Sequence, residues 1–418
     1  MGQDKHISVG LDIGTTKVCC VIGQHSDKDS DLKLLAVGTS RSSGMRTGKV
    51  INIDETVNAI ITAVQDAEKM ANVKVDNAFV GISGDHVRGI NTQGAIAVTK
   101  NGHHIVNQHE ITGADITRVL EMSKAISLPM DRDILHILPK EYVVDDQGGI
   151  KDPLGMSGRR LEAKVHLITG GVAASKNIIK CAEEAGIAVN ALIFQPLAAA
   201  TSTLESHEKE LGVVLVDIGG GTTDVAVFFD GSIQHSAVIN LAGYSITNDI
   251  AMLLKRSIDD AEEIKIKFAS AKASMASTDL EIELPSGSNG STHAISEHEV
   301  SRYAEARMME ILKLVKREIN RADVKNLVSF GVVVTGGGAL MKNIVSLAEE
   351  IFEAPVKIGY PKGASGVNDI AASPIYSTAV GLIQYGPTVE KEFNLGTERE
   401  SMANHMVQRV KQWFETLF

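Results

Sequence analysis

Short apolar runs and amphipathic helical patterns alternate along the first part of the chain. Residues 8–23 form two apolar runs around a Gly-Thr-Thr turn, which predicts a β-hairpin. A helical pattern follows, with Asp54 as the expected N-cap and Ala71 near its end. Residues 78–83 form another apolar run and predict a further strand. This alternation predicts an α/β fold whose mainly parallel sheet is covered on both faces.

The pattern changes between residues 84 and 160. Short strand-like runs, one helical pattern over residues 113–127 and a segment rich in Gly and Pro over residues 148–158 predict an inserted subdomain. The apolar run at residues 163–169 is expected to resume the first domain, followed by a helix that Ser175 caps.

The clearest chemical pattern lies in residues 213–229. An apolar run ends at Asp217, a glycine- and threonine-rich turn follows, and a second apolar run begins after Asp224. Glycine lets backbone N–H groups approach an anion, and a carboxylate beside a phosphate requires a divalent cation between them. We therefore predict a site for a magnesium nucleotide, with Asp217 toward the metal. The expected phosphate contacts are Gly219, Gly220, Gly221, Thr222 and Thr223. The alternative is a glycine-rich turn in an ordinary antiparallel sheet.

The same pattern occurs earlier, where Asp12-Ile-Gly-Thr-Thr-Lys17 matches Asp217-Ile-Gly-Gly-Gly-Thr-Thr-Asp224. An internal repeat at this distance predicts two similar domains that face each other across a nucleotide. In the first copy we expect Asp12 toward magnesium. Thr15, Thr16 and Lys17 are expected on the phosphates.

Composition limits the possible classes of protein. The 418 residues suffice for two or more domains, and a formal charge of −11 argues against nucleic acid as a partner. Three cysteines cannot form a disulfide framework and indicate a reducing compartment. The N-terminus has no apolar signal segment, so we expect a cytoplasmic protein unless the C-terminus attaches it to a membrane.

The two hairpins resemble the phosphate loops of the actin, Hsp70 and sugar-kinase superfamily. Residues 332–340 resemble its adenosine motif. The resemblance implies an actin-like duplicated ATPase fold, with two domains around a nucleotide cleft and a subdomain inserted in each. It implies further contacts to adenosine or nucleotide from Gly243, Glu262, Lys265, Gly336, Gly337 and Gly338. Gln195 falls where a polar residue positions water; glutamine is a poor base, so any ATP hydrolysis is expected to be slow.

The end of the chain carries a separate pattern. Residues 386–400 are polar and predict a linker, and residues 401–418 have apolar side chains at helical spacing. These are Met402, Met406, Val410, Trp413, Phe414, Leu417 and Phe418. Such a helix could dock on the globular body. The linker and the aromatic end favour a membrane interface instead, with several copies on one polymer binding firmly.

Nearly the whole chain, including residues 150–158, 163–169 and 376–382, resembles the FtsA family. The resemblance implies an actin-like division protein that forms filaments on the cytoplasmic face of the bacterial inner membrane, at the division site. It also implies that the protein ties the FtsZ ring to anionic lipid and recruits later division proteins. The C-terminal peptide of FtsZ would dock on the second insertion, near Glu305 and Arg307.

Two other functions share the nucleotide site: a small-molecule kinase and a pilus-assembly actin homologue. The terminal helix argues against both. The expected first domain is built from residues 1–83 and 161–195, with the connecting helix 371–385 returning to it. The remaining expected units are an insertion at 84–160, the second domain at 196–242 and 306–370, its insertion at 243–305, the linker 386–400 and the membrane helix 401–418.

Overall fold

A computed structural model describes residues 6–25, 32–98, 110–283, 294–321, 328–367 and 373–388. Its strands are β1 (His6–Ile13), β2 (Lys17–His25), β3 (Leu32–Arg41), β4 (Met45–Arg46), β5 (Lys49–Val50), β6 (Asn77–Ile82), β7 (Arg88–Ala97), β8 (Arg132–Val144), β9 (Gln147–Ile150), β10 (Arg160–Gly171), β11 (Ala188–Phe194), β12 (Val213–Ile218), β13 (Thr223–Phe229), β14 (Ser232–Ile239), β15 (Glu281–Glu283), β16 (Ala294–Ser296), β17 (Gly331–Thr335), β18 (Val356–Ile358) and β19 (Ala364–Gly366).

Its helices are α1 (Ile53–Ala71), α2 (Gly113–Ser123), α3 (Val172–Glu184), α4 (Gln195–Thr203), α5 (Ser206–Leu211), α6 (Gly243–Leu254), α7 (Ile258–Phe268), α8 (Glu297–Arg321), α9 (Ile344–Phe352) and α10 (377–388). Within the described ranges, no helix is both long enough and apolar enough to cross a bilayer.

The first domain contains a six-stranded sheet in the order β11-β6-β1-β2-β3-β19. Helices α1 and α3 cover one face through residues such as Ile60 and Ile178, and α10 covers the other through Ile383. The neighbouring cysteines of β2 lie on opposite faces of this sheet. Cys20 packs in the core beneath α1 and α3, and Cys19 packs in the core beneath α10. Both thiols are fully buried, and burial raises the pKa of Cys19 to about 12.

The second domain repeats this arrangement. Its five-stranded sheet has the order β14-β13-β12-β17-β18, with the β12–β13 hairpin antiparallel and β17 parallel to β12. The first sheet pairs β1 with β2 and with β6 in the same way. The duplicated α/β fold predicted from the two hairpins is confirmed.

The inserted subdomain of the first domain is an antiparallel sheet, β7-β10-β8-β9, with α2 packed on it. The sequence pattern predicts that this insertion ends at residue 160. Instead β10 stays in its sheet from Arg160, opposite Ala97, to Thr169, opposite Arg88. The apolar run at residues 163–169 therefore belongs to the insertion. Local periodicity identifies a strand but not the sheet to which it pairs.

Four helix boundaries differ from the sequence prediction. The connecting helix expected over residues 371–385 is α10 (377–388), so its last three residues extend into the expected linker. Helix α1 is capped by Asn52, not Asp54, because the Asn52 side chain accepts a hydrogen bond from the backbone N–H of Glu55. The helix expected over residues 113–127 ends at Ser123, where the backbone tightens through a bond from Lys124 N to Glu121 O. Helix α3 begins after Gly171 without a side-chain cap, so Ser175 lies inside the helix.

Two helices, α4 and α10, connect the domains and cross closely. A Cβ placed on Gly381 would lie 1.8 Å from the carbonyl oxygen of Ala198, so only glycine fits there. At one end of the crossing, the Ser202 hydroxyl donates to the carbonyl oxygen of Ser377 over 2.6 Å. The Ser377 hydroxyl in turn accepts from Thr335 of β17 over 2.8 Å.

Candidate functional site: the cleft between the two hairpins

The two hairpin turns lie face to face. A Cβ on Gly220 would stand 2.3 Å from Oγ1 of Thr16, and one on Gly221 would stand 2.2 Å from Oγ1 of Thr15. Thr15 Oγ1 also accepts a hydrogen bond from Gly48 N over 3.2 Å. The structure therefore brings the predicted phosphate residues of both copies to one place.

The N-terminus of α6 abuts the second turn. Gly243 N donates to Gly219 O over 3.0 Å, and Tyr244 N donates to Gly220 O over 2.8 Å. The N-cap residue Ala242 has no side chain able to cap the helix. A helix N-terminus beside a glycine-rich turn favours an anion electrostatically. The N–H groups of Gly243 and Tyr244 are themselves bonded to the turn, and the nucleotide contact expected for Gly243 stays a prediction.

Three carboxylates lie close together beside the hairpin turns: Asp217 and Asp224 are buried, and Asp12 is half-buried. Asp12 Oδ1 accepts from Nε2 of Gln195 over 2.7 Å, and Asp217 Oδ2 accepts from the hydroxyl of Thr378 over 2.9 Å. Gln195 begins α4 and Thr378 lies in the first turn of α10, so each connecting helix holds one of these carboxylates.

Asp224 joins the two domains directly. The hydroxyl of Ser83, the residue after β6, donates to Asp224 Oδ1, and Thr222 donates to Oδ2 over 3.4 Å. Ser83 is 4% exposed and Asp224 is 4% exposed, so the bond is shielded from water. Shielding strengthens such a bond and makes the loss of one partner costly.

Burial raises the pKa of all three carboxyl groups. It raises the pKa of Asp224 to about 8 and that of Asp217 to about 6, while hydrogen bonds from Ser83 and Thr378 respectively act in the opposite direction. The pKa of Asp12 is also raised by burial, which the charge of Lys17 and the bond from Gln195 oppose. Carboxylates that are costly to ionise are stabilised by a bound cation.

The donor set fits magnesium. Mg²⁺ prefers oxygen ligands, keeps several waters and is usually held by one or two carboxylates together with phosphates. No group of three or more His, Cys, Asp or Glu side chains in the described part of the chain is arranged to enclose a metal. Asp12 and Asp217 are therefore suited to hold magnesium through water and phosphate, and not as a protein cage.

Lys17 begins β2 and points toward the second connecting helix. Its Nζ donates to the carbonyl oxygen of Ile375 over 2.6 Å and lies 4.9 Å from the centroid of the Tyr376 ring. No carboxylate of the described residues forms an ion pair with it. The ammonium group is held by a carbonyl and an aromatic face and not by a carboxylate, so its donors are suited to pair with a phosphate.

The predicted adenosine residues lie on the second domain. Gly336 has φ +80°, and a Cβ there would stand 2.2 Å from Oδ1 of Asp217. A Cβ on Gly338 would stand 2.3 Å from Cγ2 of Ile218, whereas one on Gly337 would meet only Cγ2 of Ile375, at 4.0 Å. Gly336 and Gly338 are thus required by packing against β12, in addition to any role toward a ligand.

Glu262 and Lys265 lie next to each other on α7. Lys265 Nζ contacts Glu262 Oε2 over 2.7 Å, the Thr247 hydroxyl over 2.9 Å and the carbonyl oxygen of Gly243 over 3.2 Å. These contacts connect α7 to the start of α6 and thereby to the phosphate turn.

Glu305 and Arg307, the residues expected near the FtsZ peptide, are engaged within the chain. Arg307 makes two hydrogen bonds to Asp249, of 2.6 Å and 3.0 Å, and also contacts Glu310. Glu305 accepts from the backbone N–H of Ala273 over 2.9 Å. Both residues lie on α8, a helix that also packs against β13 and β14.

Four residues of the site carry no predicted role: Asp224, Ser83, Thr378 and Tyr376. Asp224 was visible as the last position of the repeated motif, where the first copy has Lys17. The other three carry no local signal, because their roles depend on contacts between segments more than 100 residues apart.

Replacing Asp224 by asparagine tests the pH dependence that its buried carboxyl group causes. A folded-state pKa raised from 3.8 to about 8 means that this group stabilises the fold fully below pH 4, and the contribution is lost as the pH rises through 8. The asparagine side chain cannot ionise, so Asp224→Asn is expected to gain stability relative to the wild type as the pH rises from 5 to 8.5.

Thermal melts without nucleotide or metal, at several pH values, give the measurement. The exposed Asp54→Asn is the control and should run parallel to the wild type at every pH. A constant difference between the Asp224→Asn and wild-type melting temperatures across this range would contradict the assignment.

Comparison with known proteins identifies the family to which the chain is similar. Residues 214–381 match the family model "Cell division protein FtsA", and residues 84–169 match "SHS2 domain inserted in FTSA". The second match covers the insertion and most of β10. Its extent agrees with the structure, in which β10 belongs to the sheet of the insertion. The FtsA of Pseudomonas aeruginosa is 42% identical over 100% of this chain and 99% of its own length. The FtsA of Escherichia coli K12 is 35% identical over 99% and 97%.

Solved structures show the fold. The PilM-PilN type IV pilus biogenesis complex matches with a TM-score of 0.65 at 14% identity, covering 91% of this chain and 98% of that one. MreB5 of Spiroplasma citri bound to ADP matches with a TM-score of 0.54 at 16% identity, covering 93% and 98%. The fold is actin-like, as predicted, and the full-length identities show that the chain belongs to the FtsA family of actin-like cell division proteins.

Proposed function

We propose that this division protein binds Mg²⁺ and ATP between its two hairpins, forms filaments on the cytoplasmic face of the inner membrane, and anchors the FtsZ ring there. The observation that carries the nucleotide part is the direct opposition of two glycine- and threonine-rich turns beside the carboxylates of Asp12 and Asp217. Filaments on the membrane would then recruit later division proteins.

Each side chain has a proposed task in the cleft. Lys17 and the hydroxyls of Thr15, Thr16 and Thr222 bind phosphate oxygens, together with the N–H groups of Gly219, Gly220 and Gly221. The Thr223 hydroxyl, also expected on the phosphates, is instead fully buried and donates to the carbonyl oxygen of Leu241 over 2.7 Å. Asp12 and Asp217 hold the metal, which neutralises phosphate charge. Gly336 to Gly338, Glu262 and Lys265 bind adenosine. Because the turns touch each other, phosphate binding between them requires the turns to separate.

Any ATP hydrolysis is proposed to be slow. Gln195 is the polar group nearest to Asp12 on the connecting helix, and its amide nitrogen is already committed to Asp12 Oδ1. An amide can orient water through its remaining carbonyl oxygen but cannot remove a proton at neutral pH. The conformational state of the protein is then set by the binding of nucleotide and not by the turnover of ATP.

The C-terminal peptide of FtsZ is proposed to dock on the second insertion, near Glu305 and Arg307. Two guanidinium N–H groups of Arg307 are bonded to Asp249. A peptide that uses this side chain must displace Asp249 or bond to the N–H groups that remain. FtsZ tail binding should therefore respond to Asp249→Asn as well as to Arg307→Ala.

Membrane attachment is proposed for residues 401–418, which lie outside the described residues. The support is their sequence pattern, with Trp413 and Phe414 near the end of an apolar helical stripe. One such helix binds lipid weakly, and a filament carrying many of them binds firmly.

Co-sedimentation with anionic lipid vesicles, in Mg²⁺ and ATP, tests this anchor. The full chain is expected to pellet with lipid, and a chain that ends at Glu400 is expected to stay in the supernatant. Trp413→Glu should also reduce pelleting, whereas Gln412→Glu is a matched control with the same change of charge on the polar side. Equal pelleting of full and truncated chains would contradict the anchor and favour an ATPase or kinase without a lipid role.

A further inference from the structure

The inserted subdomain is attached to the second domain, although it is inserted in the first. Strand β14 forms one edge of the second-domain sheet, and β7 forms one edge of the insertion. The two edges meet: a Cβ on Gly89 would stand 2.4 Å from the Ser236 hydroxyl and 2.6 Å from Nε2 of His166. Glycine at position 89 is what permits this approach. We call this contact the β7–β14 seam.

A closed chain of hydrogen bonds crosses the seam. Asn91 Nδ2 donates to the carbonyl oxygen of Gln234 over 3.1 Å, which leaves Asn91 Oδ1 as an acceptor. His166 Nδ1 lies 2.7 Å from this oxygen and must be the protonated nitrogen, so Nε2 accepts from the Ser236 hydroxyl over 2.9 Å. Both His166 and Ser236 are nearly inaccessible to water.

The histidine stays neutral in this arrangement. Burial lowers the pKa of His166 to about 3, and the nearby charges of His235 and Lys140 act in the same direction. A neutral ring keeps one donor and one acceptor, which is the combination that Asn91 and Ser236 require.

Apolar packing and an ion pair extend the seam. Ile168 of β10 shares a core with Ile233 and Phe228 of the second domain, and Leu138 of β8 packs against it. At the rim, Lys151 pairs with Asp230 over 2.5 Å. The contact thus combines buried area with directional bonds, which resists sliding more than either does alone.

The seam is connected to the phosphate turn through two strands. Ser236 lies opposite Ala226 on β13, and β13 begins at Thr223, directly after the turn. Asp224 on the same strand accepts the hydrogen bond from Ser83, one residue before the insertion begins. The turn is therefore connected through β13 both to β14 and to the start of the insertion.

The insertion also contacts the connecting helix. Nε2 of the buried His136, on β8, accepts from the backbone N–H of Phe194 over 2.9 Å, and Phe194 immediately precedes α4. The insertion is therefore bonded to the second domain on one side and to the start of the connecting helix on the other.

We propose that the inserted subdomain is a strut that senses the nucleotide state of the cleft through the β7–β14 seam. Separation of the two turns by a bound nucleotide moves β13 and β14, and the seam carries this movement to the insertion. This inference rests on the proposed binding of nucleotide in the cleft. Its consequence is that the outer surface of the insertion is positioned differently in the two nucleotide states.

Hydrogen exchange of the full chain, with and without Mg²⁺ and a non-hydrolysable ATP analogue, tests the strut. In the wild type, the analogue is expected to change exchange in peptides from residues 213–229 and also in those from residues 88–97 and 160–171. Gly89→Ala places a methyl group in the seam. It should speed exchange in the seam about tenfold and abolish its response to the analogue, while residues 213–229 still respond.

Gly148→Ala is the matched control, because it lies in the same subdomain and its Cβ would meet nothing closer than 3.9 Å. If Gly89→Ala does not fold, Asn91→Ala serves instead, since Asn91 is exposed and its loss removes two bonds without a clash.

The outcomes separate the two proposals. A response at residues 213–229 with an unchanged seam in the wild type would overturn the strut alone. Full retention of the seam response in both Gly89→Ala and Asn91→Ala would also overturn it. No response at residues 213–229 would overturn nucleotide binding in the cleft, and the strut with it.

Discussion

Gly381→Ala is expected to lower the free energy of unfolding by about 1–3 kcal/mol, the usual cost of overpacking a tight core. In an open helix the same change would stabilise by about 1 kcal/mol, because alanine has the higher helix propensity. Here the new Cβ would stand 1.8 Å from the carbonyl oxygen of Ala198, so α4 and α10 must move apart. The steric cost therefore exceeds the gain in propensity.

Urea unfolding followed by circular dichroism gives the midpoint for the variant and the wild type. Gly148→Ala provides a glycine-to-alanine control at a position with free space. The separation of the helices should also disturb Thr378, which bonds to Asp217, so nucleotide affinity is expected to fall with stability. A urea midpoint of the variant equal to or above that of the wild type would contradict the close contact between Gly381 of α10 and Ala198 of α4.

Lys17→Ala is expected to weaken the binding of Mg²⁺ and ATP by about 10- to 100-fold, the range for losing one charge-assisted hydrogen bond. The ammonium group lies beside the first turn and its charge opposes the raised pKa of Asp12. Its removal deletes a partner for phosphate and leaves the carboxylates without the nearest positive charge.

Isothermal titration with a non-hydrolysable ATP analogue measures this loss. Lys33→Ala is the control, because Lys33 is exposed on β3 and far along the strand from the turn. Unchanged affinity in Lys17→Ala would remove Lys17 from the site. Equal losses in both variants would indicate a general effect of net charge.

The two hairpins and their duplication could be predicted because their evidence is local. An apolar run, an aspartate and a glycine-rich turn recur in both copies, and the structure places the two turns against each other. The same holds for the strand that precedes Gly336. Patterns of this kind are set by the residues of one segment and its own backbone.

Sheet membership and partner choice could not be predicted in the same way. The run at residues 163–169 has the pattern of any buried strand, and its pairing with β7 and β8 is decided by contacts far along the chain. The same applies to Ser83 with Asp224 and to Lys17 with Ile375. The proposed membrane helix, residues 401–418, lies outside the described residues and stays a prediction.

One core of the first domain joins segments from opposite ends of the sequence, so it is completed late in synthesis on the ribosome. The face of β2 that carries Cys19 is covered by α10, which lies about 360 residues later in the chain. At roughly 5–20 residues per second, translation leaves this face uncovered for about 20 to 70 s. The nascent hairpin therefore exposes this apolar face until α10 has been synthesised, and the core of the first domain is completed only then.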